Sequence, residues 1–404
     1  MPRLRLVSVG SNFGGVPAAS APLPAGPAGQ PSHGARLLAV SHAAILPANQ
    51  LVYRELSERG WEITLVVPDR WSHAYTGRLR ASPLPGLESA LRPTAVVWRG
   101  RAQRHLHRVR AGRVVDRFRP DVALLELEPY ALAATQWGRA LGRRGIPFGL
   151  QCWENVDRPL PAPVRALRAR VLRDAAFVGA RSQTAAELAR AWGAVGEIAI
   201  APSPVPGWEP RPRADRPFTI GYVGRLVESK GVTDLLAAVQ AMAGERELVL
   251  VGEGELKDRL RVERVAGRPV SVLGGVASEA MPDAYAQLDV LVLPSRTTAT
   301  WKEQFGRVLV EALWCGVPVI GSDSGEIPWV IGLTGGGLVF PEGDTRALAQ
   351  SLTALQGSPE LRRDLAATGR RNVERLFSVK AATDALERLL RGALPAAAHA
   401  ASEP

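Results

Sequence analysis

Short apolar runs, each followed by a stretch of helical period, recur along this chain in two series separated by a block of prolines. The first series places strands at 37–40, 63–67, 122–125, 147–150 and 176–179, with helices at 51–59, 130–141 and 164–173 between them. Strand, helix, strand within about thirty residues is the βαβ unit, and its repetition calls for a parallel sheet covered by helices. Residues 202–217 then hold Pro202, Pro204, Pro206, Pro210, Pro212 and Pro217, a density that reads as a linker. The second series has strands at 218–223, 247–251, 270–273, 290–293 and 317–320, and helices at 233–242, 255–265, 281–287, 306–313 and 345–355. The segment 361–390 reads as helical.

The expected architecture is therefore α/β, with two Rossmann-like domains whose parallel sheets face a cleft between them. Ligands in such sheets lie beyond the carboxyl ends of the strands. The boundaries are drawn as follows. Residues 1–35, rich in Pro, Gly, Ala and Ser, form a disordered or wrongly started segment. Residues 36–205 form a first domain, 206–217 the linker, 218–380 a second domain, and 381–404 a C-terminal helix and disordered tail. A chain of 404 residues suits two domains, and no stretch is apolar enough to span a bilayer. The two cysteines, Cys152 and Cys315, lie in apolar surroundings, which fits a reducing compartment and a cytoplasmic protein.

Charge divides with the domains. Residues 1–210 carry 27 Arg and no Lys against 15 acidic residues, whereas the remainder has 23 basic and 24 acidic. A basic half attracts anionic partners. No nucleic-acid-binding motif accompanies it, so nucleic acid is not the expected partner.

Three segments of the second domain carry the chemistry. In Gly221-Tyr222-Val223-Gly224-Arg225, followed by Lys230-Gly231, glycines let the backbone approach a ligand and the next helix offers free N–H groups to an anion. Arg225 and Lys230 can neutralise a diphosphate there; a solvated basic turn is the alternative. In Glu303-Gln304-Phe305-Gly306-Arg307-Val308-Leu309-Val310-Glu311, two carboxylates flank the start of an apolar helix. Ionised carboxylates pair well with vicinal sugar hydroxyls, and a helix start favours phosphate. The alternative is a capping carboxylate and an unrelated helix Glu. The third runs from Cys315 through Ser322-Asp323-Ser324-Gly325-Glu326, a buried strand entering a small-residue loop.

Together with Val251-Gly252-Glu253-Gly254, Leu291-Val292-Leu293-Pro294-Ser295 and Glu311-Ala312-Leu313-Trp314-Cys315-Gly316-Val317-Pro318-Val319, these segments resemble the donor domain of retaining GT-B glycosyltransferases. The family is the large type 4 group that includes sucrose-phosphate-synthase-like enzymes and mannosyltransferases, and the likeness runs over 218–382. The resemblance implies transfer of a hexose-type sugar from a nucleotide-diphosphate sugar, with retention of anomeric configuration, to a glycan, lipid-linked or small-molecule acceptor. It implies catalytic roles for Arg225, Lys230 and Glu303. It implies donor contacts from Gly224, Phe305, Gly306 and Arg307, and ribose binding by Glu311. It implies no metal and no other cofactor; Asp-x-Asp and any metal-ligand cluster are absent from the sequence.

The first domain resembles the family less closely, because Ser41-His42-Ala43-Ala44-Ile45 stands where a glycine-rich turn is expected. Acceptor-side candidates are His42, then Glu126 and Glu128 of Glu126-Leu127-Glu128-Pro129-Tyr130, and Asn155 of Trp153-Glu154-Asn155. The Arg-rich stretch 92–119, with His105 and His107, is expected to dock on an anionic membrane surface or a phosphorylated acceptor, against a solvated helix face. Two other classes compete: a GT-B-like nucleotide-sugar epimerase, and a non-catalytic sugar-binding relative.

Overall fold

The computed structural model describes residues 34–73, 77–212 and 216–395. The expectations for 1–33 and for the tail beyond 395 lie outside the described residues. Two parallel sheets organise the chain. The first contains β1 (Arg36–Ser41), β2 (Glu62–Pro68), β3 (Leu91–Thr94), β4 (Val122–Glu126), β5 (Phe148–Cys152), β6 (Phe177–Ala180) and β7 (Glu197–Ile200), in the order β7-β6-β5-β4-β1-β2-β3. The second contains β8 (Phe218–Val223), β9 (Arg246–Val251), β10 (Ser271–Gly274), β11 (Val290–Leu293), β12 (Val319–Ser322) and β13 (Gly337–Phe340), in the order β10-β9-β8-β11-β12-β13.

Every residue of the central strands β4, β5 and β11 is buried. Helices cover both faces of such strands, so they can be apolar throughout instead of alternating. In each sheet the strand order reverses beside the first strand of its series, between β1 and β4 and between β8 and β11. The loops leaving the two strands there diverge and open a crevice. In the first sheet Ser41 pairs in register with Glu126, which sets His42 beside the end of β4.

The structure adds elements that the apolar pattern does not announce. Edge strands β3, β7 and β13 lack a long apolar run, and β3 contains Pro93, which an edge tolerates because no partner needs its N–H. Helices Ala111–Phe118, Gln183–Ala191 and Ile327–Thr334 are likewise additional. The helix expected over 255–265 is only Lys257–Arg261; a small hairpin, Arg264–Val265 with Arg268–Pro269, follows, and Gly267 at φ +77° makes its turn.

The C-terminal helical segment is two helices. Pro359–Phe377 ends at Ser378, whose extended backbone breaks the helix and whose Oγ accepts from Ala381 N to start Val379–Gly392. This last helix returns to the first domain. Leu386, Leu389 and Leu390 are buried among Leu37, Leu124 and Phe177, and Arg59 pairs with Asp384 at 2.7 Å and Glu387 at 2.8 Å. The segment beyond 381 therefore completes the core of the first domain.

Candidate active site

The loops that leave β8, β9 and β11 are pressed together by glycines. A Cβ on Gly252 would lie 1.8 Å from the Gly224 carbonyl oxygen. Gly231, at φ +66°, starts the helix Val232–Ala241, and a Cβ there would lie 1.8 Å from the Pro294 carbonyl oxygen. Lys230 is thereby held against the loop that follows β11. Its Nζ donates to Glu303 Oε2 at 2.5 Å and stands 4.5 Å from the centre of the Trp301 ring. Ser295 Oγ donates to the same carboxylate oxygen at 2.8 Å, and its own backbone carbonyl accepts from Ser322 Oγ at 2.6 Å. Both members of the Lys230–Glu303 pair are largely removed from water, with side chains 13% and 10% exposed.

The backbone of Glu303 is held as firmly as its carboxylate. Its carbonyl accepts from Glu326 N at 3.0 Å and, from the first domain, from Asn155 Nδ2 at 2.7 Å. Gly306, at φ +72°, turns the chain into the helix Arg307–Trp314, whose first turn receives no side-chain cap. Glu311 lies one turn inside. Arg307 Nε is 2.8 Å from one of its oxygens, and the Tyr285 hydroxyl donates to the other at 2.8 Å. Burial pushes the Glu311 carboxyl above its ordinary pKa, against the pull of Arg307 and Tyr285. Arg307 also reaches Asn49 Oδ1 of the first domain at 3.3 Å.

A cavity of about 600 Å³ lies between the domains. Trp301, Glu303, Gln304, Phe305 and Arg307 line its second-domain wall. Gly224, Arg225, Lys230, Gly306, Glu311 and Asn155 are off this lining. Lys230 and Glu311 stand behind it, each bonded to a residue that does line it. The Arg225 carbonyl accepts from the Tyr222 hydroxyl at 2.6 Å. Asn155, an acceptor-side candidate, bridges the two domains through its bond to the Glu303 carbonyl.

On the opposite wall Glu126 and Glu128 differ sharply. Glu126 is committed within the protein: Tyr53 donates to one oxygen at 3.0 Å and Arg181 to the other at 2.8 Å. The Arg181 guanidinium in turn lies 4.9 Å from the Trp153 ring centre. Glu128 has one oxygen fixed by Trp153 N at 2.7 Å and Glu154 N at 3.0 Å, while Oε2 is buried without a partner. Burial first, then the neighbouring Glu154 charge, lifts the Glu128 pKa to about 7, although the two backbone N–H groups oppose the rise. Glu154 accepts from the Tyr130 hydroxyl at 2.7 Å.

His42 lines the cavity but belongs to a buried aromatic chain. Its ring lies 5.3 Å from Trp71 and 5.6 Å from His105, which lies 5.5 Å from His107, itself 5.6 Å from Trp137. His105 and His107 were expected within a charged surface stretch; both are buried and root that stretch in the domain. Burial lowers the pKa of all three, to about 4 for His42 and about 3 for His107. Among the described residues no group of three or more His, Cys, Asp or Glu is placed to hold a metal ion. Both cysteines are free, and no described helix is long and apolar enough to cross a membrane.

Sequence reasoning missed Trp301, Tyr285, Tyr53 and Arg181, which support or partner the named carboxylates. Tyr53 and Tyr285 lie in helices and Arg181 and Trp301 outside them, and none carries a local pattern that would mark its distant partner.

The sequence family Glycosyl transferases group 1 matches residues 217–357. A capsular polysaccharide biosynthesis glycosyltransferase of Staphylococcus aureus is 30% identical over 178 residues, covering 42% of this chain and 45% of that protein. A GDP-mannose-dependent monoacylated alpha-(1-6)-phosphatidylinositol monomannoside mannosyltransferase of Corynebacterium glutamicum is 31% identical over 173 residues, covering 41% and 45%. The chain thus spans about half the length of the curated relatives it matches. Among solved structures, sucrose-phosphate synthase of Thermosynechococcus elongatus superposes with TM-score 0.65 at 20% identity, covering 89% of this chain and 98% of that one. The Anabaena protein HepE, solved in complex with UDP, superposes with TM-score 0.65 at 16% identity, covering 89% and 100%. At such identities the likeness fixes the fold, which is GT-B.

Proposed function

We propose, from the match of residues 217–357 to the glycosyl transferases group 1 family, that the protein moves a hexose-type sugar from a nucleotide-diphosphate sugar to a glycan, lipid-linked or small-molecule acceptor, with retention and without a metal ion. The reading rests on one observation above the others: Glu303, on the cavity wall, is paired with Lys230 immediately behind it. One residue suits sugar hydroxyls and the other a phosphate. They meet where the β8–β11 crevice opens, the position at which α/β sheets hold nucleotides. The structural neighbour HepE has been solved with UDP and with UDP-glucose, which supports a nucleotide-sugar donor.

In this reading the diphosphate lies against Arg225, Lys230 and the helix starts at Gly231 and Gly306. These groups take the negative charge that develops on the leaving diphosphate, the task a metal performs elsewhere. Glu303 takes hydroxyls of the transferred sugar, and Glu311 takes the ribose. The acceptor enters from the first-domain wall; its hydroxyl oxygen bonds the anomeric carbon on the face the diphosphate leaves, the carbon–diphosphate bond breaks with its electron pair on the departing phosphate oxygen, and the hydroxyl proton passes to that oxygen. Glu128 Oε2 is the acceptor-side carboxylate oxygen with free hydrogen-bonding capacity. The work is placed in the cytoplasm, where nucleotide sugars are available.

A melting-temperature panel of nucleoside diphosphates and their sugars tests the donor class, since a ligand that binds the folded state raises the midpoint. The panel is run with and without chelator. One nucleotide family should stabilise the protein, with no effect of chelator. A flat panel would sink the reading.

A further inference from the structure

The hairpin Val96–Val97 with Leu106–His107 is rooted in the first domain by the buried His105 and His107. Its connecting segment displays what the root does not. Trp98 is 55% exposed and sits at φ +51°, a left-handed conformation that a bulky residue rarely adopts. Around it and along the following helix stand the exposed Arg101, Arg104, Arg108, Arg110, Arg113 and Arg117. Arg113 and Arg117, four residues apart in the helix Ala111–Phe118, share one face, opposite the buried Ala111 and Val115, and Arg110 stands at its N-cap position.

These cations are uncompensated. Among the described residues none of the six has a carboxylate within ion-pairing distance. The one acidic side chain in the helix, Asp116, is taken by Arg144 at 2.5 Å. Elsewhere in the chain exposed arginines such as Arg268 and Arg363 do have carboxylate partners. The same connecting segment continues into the site: Ala102 and Gln103 line the interdomain cavity, and the Gln103 carbonyl accepts from Leu132 N at 3.0 Å.

The geometry points to an anionic lipid surface as the partner of this face, seating the protein with its cleft mouth at the headgroups so that the acceptor is met there. The inference rests on the reading of the cleft as the transfer site. A row of unpaired guanidinium groups suits phosphate headgroups, and an exposed indole beside them suits the interfacial layer. A nucleic-acid strand would need exposed aromatic platforms repeated along the groove, whereas Phe118 is half-buried beneath Arg36 and Trp98 is the exposed one in the stretch.

Flotation of the full chain with phosphatidylcholine vesicles, with and without phosphatidylglycerol, at low and high salt, tests it. The protein should float with the anionic vesicles only, and high salt should release it. Charge removal in R101Q/R104Q/R113Q should lower the partition coefficient roughly a hundredfold, at about fivefold per cation near the surface. Trp98→Ala should weaken binding while leaving its dependence on anionic lipid intact. All variants should retain the wild-type melting temperature and nucleotide-induced shift in lipid-free buffer. That arm separates failure of docking from failure of the donor site. Equal flotation with neutral vesicles, no flotation, wild-type partitioning of the triple variant, or retention of an oligonucleotide in place of vesicles would each overturn the inference.

Discussion

The Asn155 side chain donates from Nδ2 to the backbone carbonyl of Glu303 at 2.7 Å, across the boundary between the domains. Through this bond a residue of the first domain positions the residue proposed to hold the donor sugar. Asn155 is 2% exposed, so water does not replace the bond cheaply. Asn155→Ala should lower kcat/KM about tenfold, corresponding to a lost buried hydrogen bond of roughly 1.4 kcal/mol. Donor affinity should change less, because the Glu303 carboxylate keeps Lys230 and Ser295. Steady-state kinetics alongside nucleotide titration would check this. Equal losses in both would mean that Asn155 acts on the donor directly.

Lys230 and Glu303 form a nearly buried ion pair, and removing one member leaves the other's charge uncompensated. Lys230→Ala should therefore cost about 3–5 kcal/mol of stability. It should also lower turnover by a factor on the order of 100–1,000 through the lost leaving-group cation. The double variant K230M/E303Q should recover much of the stability and none of the turnover. Denaturant melts with activity assays separate the two effects. Recovery of activity in the double variant would refute the assigned roles.

Glu128 gives a pH signature. Its folded pKa of about 7 lies above the ordinary carboxylate value of 4.5, so the folded state holds the proton more tightly than the unfolded chain does. The resulting stability is full below pH 4.5 and is lost as pH rises through 7. Ionisation over the same range frees Oε2 to accept from an acceptor hydroxyl. Acceptor kcat/KM should therefore rise through pH 7 while stability falls, and Glu128→Gln should flatten both profiles. A profile unchanged in E128Q would assign the titration elsewhere.

The buried histidines act in the opposite direction. Folded pKa values of about 4 for His42 and about 3 for His107 lie below the ordinary 6.5, so the unfolded chain binds protons that the folded state refuses. Stability should fall steadily as pH drops below 6.5, and the loss should continue until the folded values are reached. His42 Nδ1 has no partner, so His42→Gln can be made without breaking a hydrogen bond at that atom. Urea melts at pH 7 and pH 5 should show a smaller acid loss for this variant than for the wild type.

Much of the donor side was legible in order along the chain. Gly224-Arg225, Lys230-Gly231 and the Glu303–Glu311 segment are local signals, because a glycine-rich turn and a helix start are built from neighbours in sequence. The acceptor side was harder to read. Glu126 and Glu128, two residues apart at the end of one strand, look equivalent as letters, yet Arg181 and Tyr53 take both oxygens of one, whereas the other keeps Oε2 unpartnered. His105 and His107 looked like part of a charged surface because the residues around them are arginines.

The sequence alone determined the two parallel sheets and the set of charged groups beyond the carboxyl ends of the second sheet's central strands, since hydrophobic period and glycine placement act over a few residues. Tertiary structure alone decided which charges are paired, that Asn155 spans the cleft, and that the last helix completes the first domain. Those outcomes depend on side chains from distant segments competing for the same buried partners, and burial energies are set only once the chain has closed on itself.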